Sequence, residues 1–337
     1  MAINWQILGG PGADNALLAT VDSGQSLNRI LFDCGGGCLD GLQTSLLQSI
    51  DHLCFSHFHM DHVSGFDTFF RHNYNRPEVP VEVWGPPETL AVMEHRFRGF
   101  VWNLHADQPG EWIVHEIGAD RIEAARFYTR EAFAETHRLP DRPVDATTIQ
   151  NDREYRLEAM LLPHASTSTV GYRLVERDRI NIDASKLKLR GLQPGPWLKS
   201  LTDTSVDDAQ LVSVEGQDLP VGQLREDLLT TTPGDSLAYL TDFRIEPDQA
   251  EWTSLIKWLD GTKTIVCECQ HHLDEIFAAR KTGHMTPDLA GKLAAGSNST
   301  KLVLHHVSRR YQKNERSEIL ASARKFFPAT EWPGGWE

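Results

Sequence analysis

Apolar positions in the first hundred residues come in short runs separated by glycine and polar turns. Residues 2–8 and 16–21 read as strands joined by the tight loop Gly9-Gly10-Pro11-Gly12-Ala13-Asp14. A third strand, Arg29-Ile30-Leu31-Phe32, ends at Asp33-Cys34-Gly35-Gly36-Gly37, and a helix is predicted over roughly 38–49. Residues 50–55 form a short buried strand that runs into Ser56 and His57. The spacing of Val63, Phe66, Phe69 and Phe70 then predicts one helix over about 61–71. A strand at 79–84 and a helix at 87–97, with Pro87 near its first turn, complete this half.

Farther along, 112–130 and 153–162 carry strand-like alternation, and the stretch between them has no clear pattern. Strands at about 160–164 and 169–175 are followed by Gly191-Leu192-Gln193-Pro194-Gly195-Pro196-Trp197. That density of glycine and proline excludes regular core structure and predicts a projecting arm over about 176–204. Residues 201–235 read as short strands and turns. Beyond them strands at 236–240, 263–267 and 301–304 alternate with helices at 247–259, 286–295 and 314–326. Thr286-Pro287 supplies a cap and a first-turn proline for the second of these helices. The expectation is an α/β chain, one domain over 1–337 with the arm as an insertion.

Composition narrows the function. Apolar content of 40% and charged content of 24% are ordinary for a soluble globular protein. No window approaches the ~20 apolar residues of a membrane span, and Met1-Ala2-Ile3-Asn4-Trp5 has no basic flank, which predicts a soluble, cytoplasmic protein. Five cysteines, an odd number, suit a reducing compartment and read as buried thiols rather than soft ligands. The formal charge of −14 speaks against non-specific nucleic-acid binding. Residues 173–199 reverse that sign, with seven Arg or Lys against three acids.

The chemistry is concentrated in Ser56-His57-Phe58-His59-Met60-Asp61-His62. Four metal-binding side chains fall within six residues, in the order His-x-His-x-Asp-His, on a loop leaving a strand. His57 and His59 can share one ion, and Asp61 and His62 can face a second. Strand ends at 164, 242 and 306 each deliver a further His or Asp.

These motifs resemble the metallo-β-lactamase superfamily, and within it the ribonuclease Z branch. The resemblance extends through Leu162-Pro163-His164, Gly171-Tyr172-Arg173, Tyr239-Leu240-Thr241-Asp242, Gly283-His284-Met285-Thr286 and His306-Val307-Ser308-Arg309-Arg310-Tyr311, and covers about residues 5–312. It differs from the branch at Gly36 and Cys38, where an acid and a polar residue are usual, and at Met60, where glycine is usual.

The resemblance implies an αββα sandwich, two mixed sheets packed face to face with helices outside. It implies that His57, His59 and His164 hold one divalent ion, that Asp61, His62 and His306 hold a second, and that Asp242 bridges them. Zinc is the expected metal, with manganese or iron as alternatives. A metal-bound hydroxide would attack a phosphodiester, with Asp61 and His284 as catalytic groups and Glu268 orienting His284. The arm resembles the branch's exosite, so Lys186, Lys188, Arg190, Pro194, Gly195, Pro196 and Lys199 would bind substrate. The implied partners are RNA, foremost the 3′ end of a transfer-RNA precursor, and a second copy of the chain in a homodimer. Two readings stay open beside this one. One is a hydrolase of a small phosphodiester, sulfate ester or lactone, favoured by Met60 and the acidic surface. The other is an inactive RNA-binding scaffold.

Overall fold

The computed structural model describes residues 3–24, 26–144, 147–203 and 205–336. They form two compact units, Met1–Val175 with Ser236–Glu337, and Glu176–Asp235.

The first unit contains two large sheets. One follows chain order through Asn4–Gly9, Asn15–Asp22, Leu27–Phe32, His52–Cys54, Val81–Gly85, Glu111–Ile117, Arg121–Tyr128 and His137–Pro143. Its middle strands, from Leu27–Phe32 to Glu111–Ile117, are parallel, and both flanks are antiparallel. The other is ordered Thr330–Glu331, Lys301–His305, Thr264–Glu268, Ser236–Leu240, Thr167–Glu176, Tyr155–His164 and Thr148–Asn151. Its first four strands are parallel.

Side-chain alternation explains how the layers stack. Leu17, Ala19, Phe32, Cys54 and Trp84 from one sheet meet Tyr172, Leu237, Tyr239, Val266 and Val303 from the other in a shared core. Their immediate neighbours point the opposite way. Leu18, Leu31, Leu53 and Val83 pack with Phe66, Phe70 and Phe97 of the helices Phe66–Asn73 and Thr89–Arg98. Ala238, Leu240, Ile265 and Leu302 pack with Leu255, Leu293 and Ile319 of the helices Ala250–Leu259, Pro287–Gly296 and Lys313–Arg324. Both faces of each central strand are therefore buried, which is why these strands read as near-continuous apolar runs. The result is the four-layer αββα sandwich.

Two helical expectations change. Residues 38–49 give only the short helix Thr44–Leu47. Gly37 and Gly41 take positive φ of 75° and 80°, and the chain before the helix closes in single turns such as Cys38 N–H to Gly35 O. The helix predicted over 61–71 breaks into Met60–Val63 and Phe66–Asn73. At the break Gly65 donates its N–H to Cys34 O, and a Cβ there would stand 2.3 Å from Gly35 O.

The second unit has a small core of its own, Leu187, Leu201, Val214, Leu224 and Leu228. Antiparallel pairing of Arg179–Ile182 with Leu229–Thr232 closes its stem. Asp183 caps the helix Ala184–Leu189 by accepting from the N–H groups of Ser185 and Lys186. The predicted arm is thus the first half of a unit that runs on to Asp235. Lys186 Nζ donates to Leu229 O at 3.2 Å, Arg190 pairs with Asp227 at 2.7 Å, and Lys188 and Lys199 are exposed. Pro194 and Pro196 flank Gly195, where a Cβ would meet the Trp197 ring at 2.9 Å. Over 176–235 seven basic residues stand against eleven acidic ones, so the positive balance of 173–199 does not extend to the whole unit.

Candidate metal centre

The strand His52–Cys54 runs into Ser56 and His57, and His59 sits at the N-cap of the short helix Met60–Val63 that carries Asp61 and His62. His164 ends the strand Tyr155–His164. Asp242 lies two residues past Ser236–Leu240, and His306 lies one past Lys301–His305. Asp33, Asp242 and His306 have positive φ of 58°, 49° and 50°. Non-glycine residues in this region cost of order 1–3 kcal/mol each and gather where side chains must converge.

Ligand-type atoms of His57, His59, His164 and Asp242 all lie within 4.8 Å of one another, and so do those of Asp61, His62, Asp242 and His306. Asp242 belongs to both sets. Its carboxylate stands 3.6 Å from His57 Nε2, 3.3 Å from His62 Nε2, 3.8 Å from His164 Nε2 and 3.3 Å from His306 Nε2. The Nε2 atoms of His57 and His62 are buried with no hydrogen-bond partner among the described residues. Buried polar atoms left this way call for a ligand. Imidazoles and carboxylates gathered this closely are donors that could hold divalent ions.

The surroundings orient each ring. His164 Nδ1 lies 3.1 Å from Gly283 O, which only accepts, so Nδ1 carries the proton and Nε2 is left to bind metal. Asp33 is fully buried and accepts from the Ser56 N–H at 2.7 Å, Ser56 Oγ at 2.8 Å, Tyr239 OH at 2.9 Å and His62 Nδ1 at 2.8 Å. Because Ser56 Oγ donates to Asp33, it accepts from His57 Nδ1 at 3.1 Å. One buried carboxylate thereby fixes the rings of both His57 and His62.

Protonation follows the same logic. Burial pushes His57 down to about 2, with the neighbouring His62 adding to the effect, so the ring stays neutral. Burial alone would lower His62, but the Asp242 and Asp33 carboxylates outweigh it and raise it well above its ordinary value. A proton on His62 stands where a dication would compete for the same lone pair. Burial opposes the charge on Asp242, yet His306, His62 and His57 hold it far below the usual carboxylate range. The hydrogen bond from His306 lowers Asp61, which is the half-exposed member of the group.

His284 lies beside both sets, its ring 5.6 Å from His306 and 5.1 Å from His164. Its Nδ1 faces Glu268 at 3.0 Å, and Glu268 is fully buried at the end of the strand Thr264–Glu268. Burial by itself disfavours the imidazolium, but the Glu268 charge and hydrogen bond push His284 up to about 9. Glu268 also accepts from the Phe243 N–H at 2.7 Å, which ties it to the residue after Asp242. Gly283, in the left-handed region at φ 74°, turns the chain between the helix Ile276–Thr282 and His284.

Met60 is 81% exposed. Gly36 donates its N–H to Asp14 Oδ2 at 2.9 Å, and a Cβ on Gly36 would meet that carboxylate at 3.0 Å. All five cysteines are buried and free. His305 turns away from the centre, with Nε2 on Leu240 O at 3.2 Å. Thr286 occupies the expected N-cap, but its hydroxyl donates to Asp288 Oδ1 at 2.8 Å and accepts from no helix N–H. Asp33 is the residue that sequence reasoning passed over. Its only signal was an acid at a strand end before a glycine run, and its contacts lie 23 to 206 residues away.

A β-lactamase superfamily domain matches residues 28–180. A ribonuclease Z from Deinococcus radiodurans is 39% identical over 330 residues, covering 98% of this chain and 97% of that protein. One from Oceanobacillus iheyensis is 27% identical over 326 residues, covering 94% and 91%. Among solved structures, the short form of human tRNase Z superposes with a TM-score of 0.55 at 16% identity, over 91% of this chain and 93% of that one. A metallo-β-lactamase fold protein from Bacillus subtilis gives 0.55 at 13% identity, over 97% and 94%. The structural likenesses bear on the fold, while 39% identity along nearly the full length of both proteins establishes descent: the chain belongs to the ribonuclease Z family of the β-lactamase superfamily.

Proposed function

We propose that this protein is a metal-dependent endoribonuclease that hydrolyses RNA phosphodiester bonds at the 3′ end of transfer-RNA precursors. The observation that carries the proposal is the pair of ligand sets sharing Asp242, with His284 and Glu268 set beside them. His57, His59, His164 and Asp242 would hold one ion, and Asp61, His62, His306 and Asp242 the other, with zinc the metal best suited to these donors. When bound, such ions polarise phosphate oxygens and acidify water.

The chain's own groups supply the rest. Asp33 holds the His62 ring so that Nε2 faces Asp242. Asp61, half-exposed at the open side, orients the attacking water and takes its proton. His284, kept charged by Glu268, donates to the phosphate or to the leaving oxygen through its second ring nitrogen. The basic residues of the unit Glu176–Asp235, Lys186, Lys188, Arg190 and Lys199, add affinity for the RNA backbone. A cytoplasmic homodimer completes the reading, and no helix among the described residues is long and apolar enough to cross a membrane.

The test is cleavage of a precursor transfer RNA in zinc or manganese buffer, beside hydrolysis of bis(p-nitrophenyl) phosphate. Release of the 3′ trailer is expected. Hydrolysis of the small ester without any RNA cleavage would select the small-ester reading instead, for which the acidic balance of the unit Glu176–Asp235 speaks.

A further inference from the structure

The last helix, Lys313–Arg324, begins seven residues after His306 and carries an unusual face. Lys313, Arg316 and Arg324 of the helix, with Lys325 at its C-cap, line a groove of about 620 Å³ over a floor that includes Trp332 and Trp336. Residues 309–325 contain six basic and two acidic residues in a chain whose formal charge is −14. Both acids are occupied away from the groove. Glu315 accepts from the Gln312 N–H at 2.8 Å as part of a capping box, and Glu318 stands 3.7 Å from His272 Nε2. Among the described residues no carboxylate pairs with the four groove cations. Arg316 donates through Nη1 to Tyr311 O at 3.1 Å, while its Nε is buried with no hydrogen-bond partner among the described residues.

The row of cations begins beside the metal centre. Arg310 Nη2 stands 2.9 Å from Glu275 and 3.4 Å from His271 Nδ1, and the His271 ring is 5.9 Å from that of His284. From there the helix continues for 12 residues, about 18 Å at 1.5 Å per residue. The tryptophan rings are only 4% and 5% exposed, so they form a floor and offer no stacking face for a base. Lys313, Arg324 and Lys325 are exposed and Arg316 is half-buried, and cations over a closed apolar floor suit phosphates, read without regard to sequence.

We propose that this helix face binds the phosphate backbone of the RNA substrate, as a contact separate from both the metal centre and the unit Glu176–Asp235. The inference rests on the RNA reading above and deepens it.

The test uses the metal-loaded full-length protein and a Lys313→Gln, Lys325→Gln double variant, with Lys325→Gln alone as a milder change. KM for precursor transfer RNA is measured across a salt series, with bis(p-nitrophenyl) phosphate hydrolysis as the fold control. Each lost phosphate contact lowers the slope of log affinity against log salt by about 0.7–0.9. The double variant should show a slope smaller by about 1.5 and a KM raised roughly tenfold. The single variant should show about half that change in slope, with kcat and small-ester hydrolysis retained in both. An unchanged KM and salt slope would overturn the groove while leaving the RNA activity standing. Competition by adenosine monophosphate in the parent, lost in the variant, would also overturn it by assigning the groove to a free nucleotide. A parent that hydrolyses the small ester but cuts no RNA would remove the RNA reading and this inference with it.

Discussion

Glu268 illustrates what one buried carboxylate contributes to a centre it does not ligate in either shared set. It sits 3.0 Å from His284 Nδ1 and holds that ring charged up to about 9, against the opposing effect of burial. The folded-state value lies above the ordinary 6.5, so the charged pair is intact at neutral pH and lost as pH rises through about 9. Bound dications lower this value in parent and variant alike, which leaves the sign of the difference unchanged. In Glu268→Gln the partner charge is gone and burial governs, so the alkaline limb of kcat should move at least one pH unit toward acid. A pH–rate profile of both proteins checks this, and an unmoved limb would remove His284 as the proton donor. The candidate ligand cluster was legible because four of its residues are packed into six positions and the others lie at or just past strand ends. Asp33 was not, because its role comes from Ser56 and His62, on the one segment that follows the strand His52–Cys54, and from Tyr239, 206 residues away.

At the scale of elements, the segment from Asp61 to Asn73 shows where periodicity misleads. The apolar spacing was right for the face that packs on the sheet, with Phe66, Phe69 and Phe70 all buried. The break at Ser64-Gly65 leaves no trace in that spacing, since it is set by the backbone of Cys34 and Gly35 lying against Gly65. The same contact fixes the helix that carries Asp61 and His62, because Cys34 N–H donates to His62 O at 2.8 Å. Gly65→Ala should therefore push two backbone segments apart, costing about 1–3 kcal/mol of stability. Thermal unfolding and metal content measured together check this, and both should fall. Full stability with full metal content would show that the close approach has no role in placing His62. The strands at 236–240, 263–267 and 301–304 were legible almost to the residue, because burial on both faces makes them short apolar runs that few other structures need.

At the scale of the molecule, the four-layer order was not readable from periodicity, which cannot say which face of a strand meets which partner. Motif resemblance supplied it. The unit Glu176–Asp235 was only half legible, because the glycine–proline tip marked its exposed end while Leu229–Thr232, the strand that closes its stem, lay in the unresolved pattern of 201–235. Val175 and Ser236 are register partners in the same sheet, so a short turn can join them if the unit is removed. Such a deletion should keep small-ester hydrolysis within about twofold and lower kcat/KM for precursor transfer RNA by two orders of magnitude or more, a loss of about 2.7 kcal/mol in transition-state binding. Equal losses on both substrates would mean that the unit supports the fold rather than the substrate.

The central claim is that seven side chains from four places in the chain form one two-ion centre that cuts RNA. It is tested most directly by titrating zinc into metal-free protein while following single-turnover cleavage of a precursor transfer RNA. Cleavage should rise to a plateau at two equivalents per chain and vanish in Asp242→Ala, whose carboxylate belongs to both ligand sets. A plateau at one equivalent, or cleavage that persists without Asp242, would contradict the account.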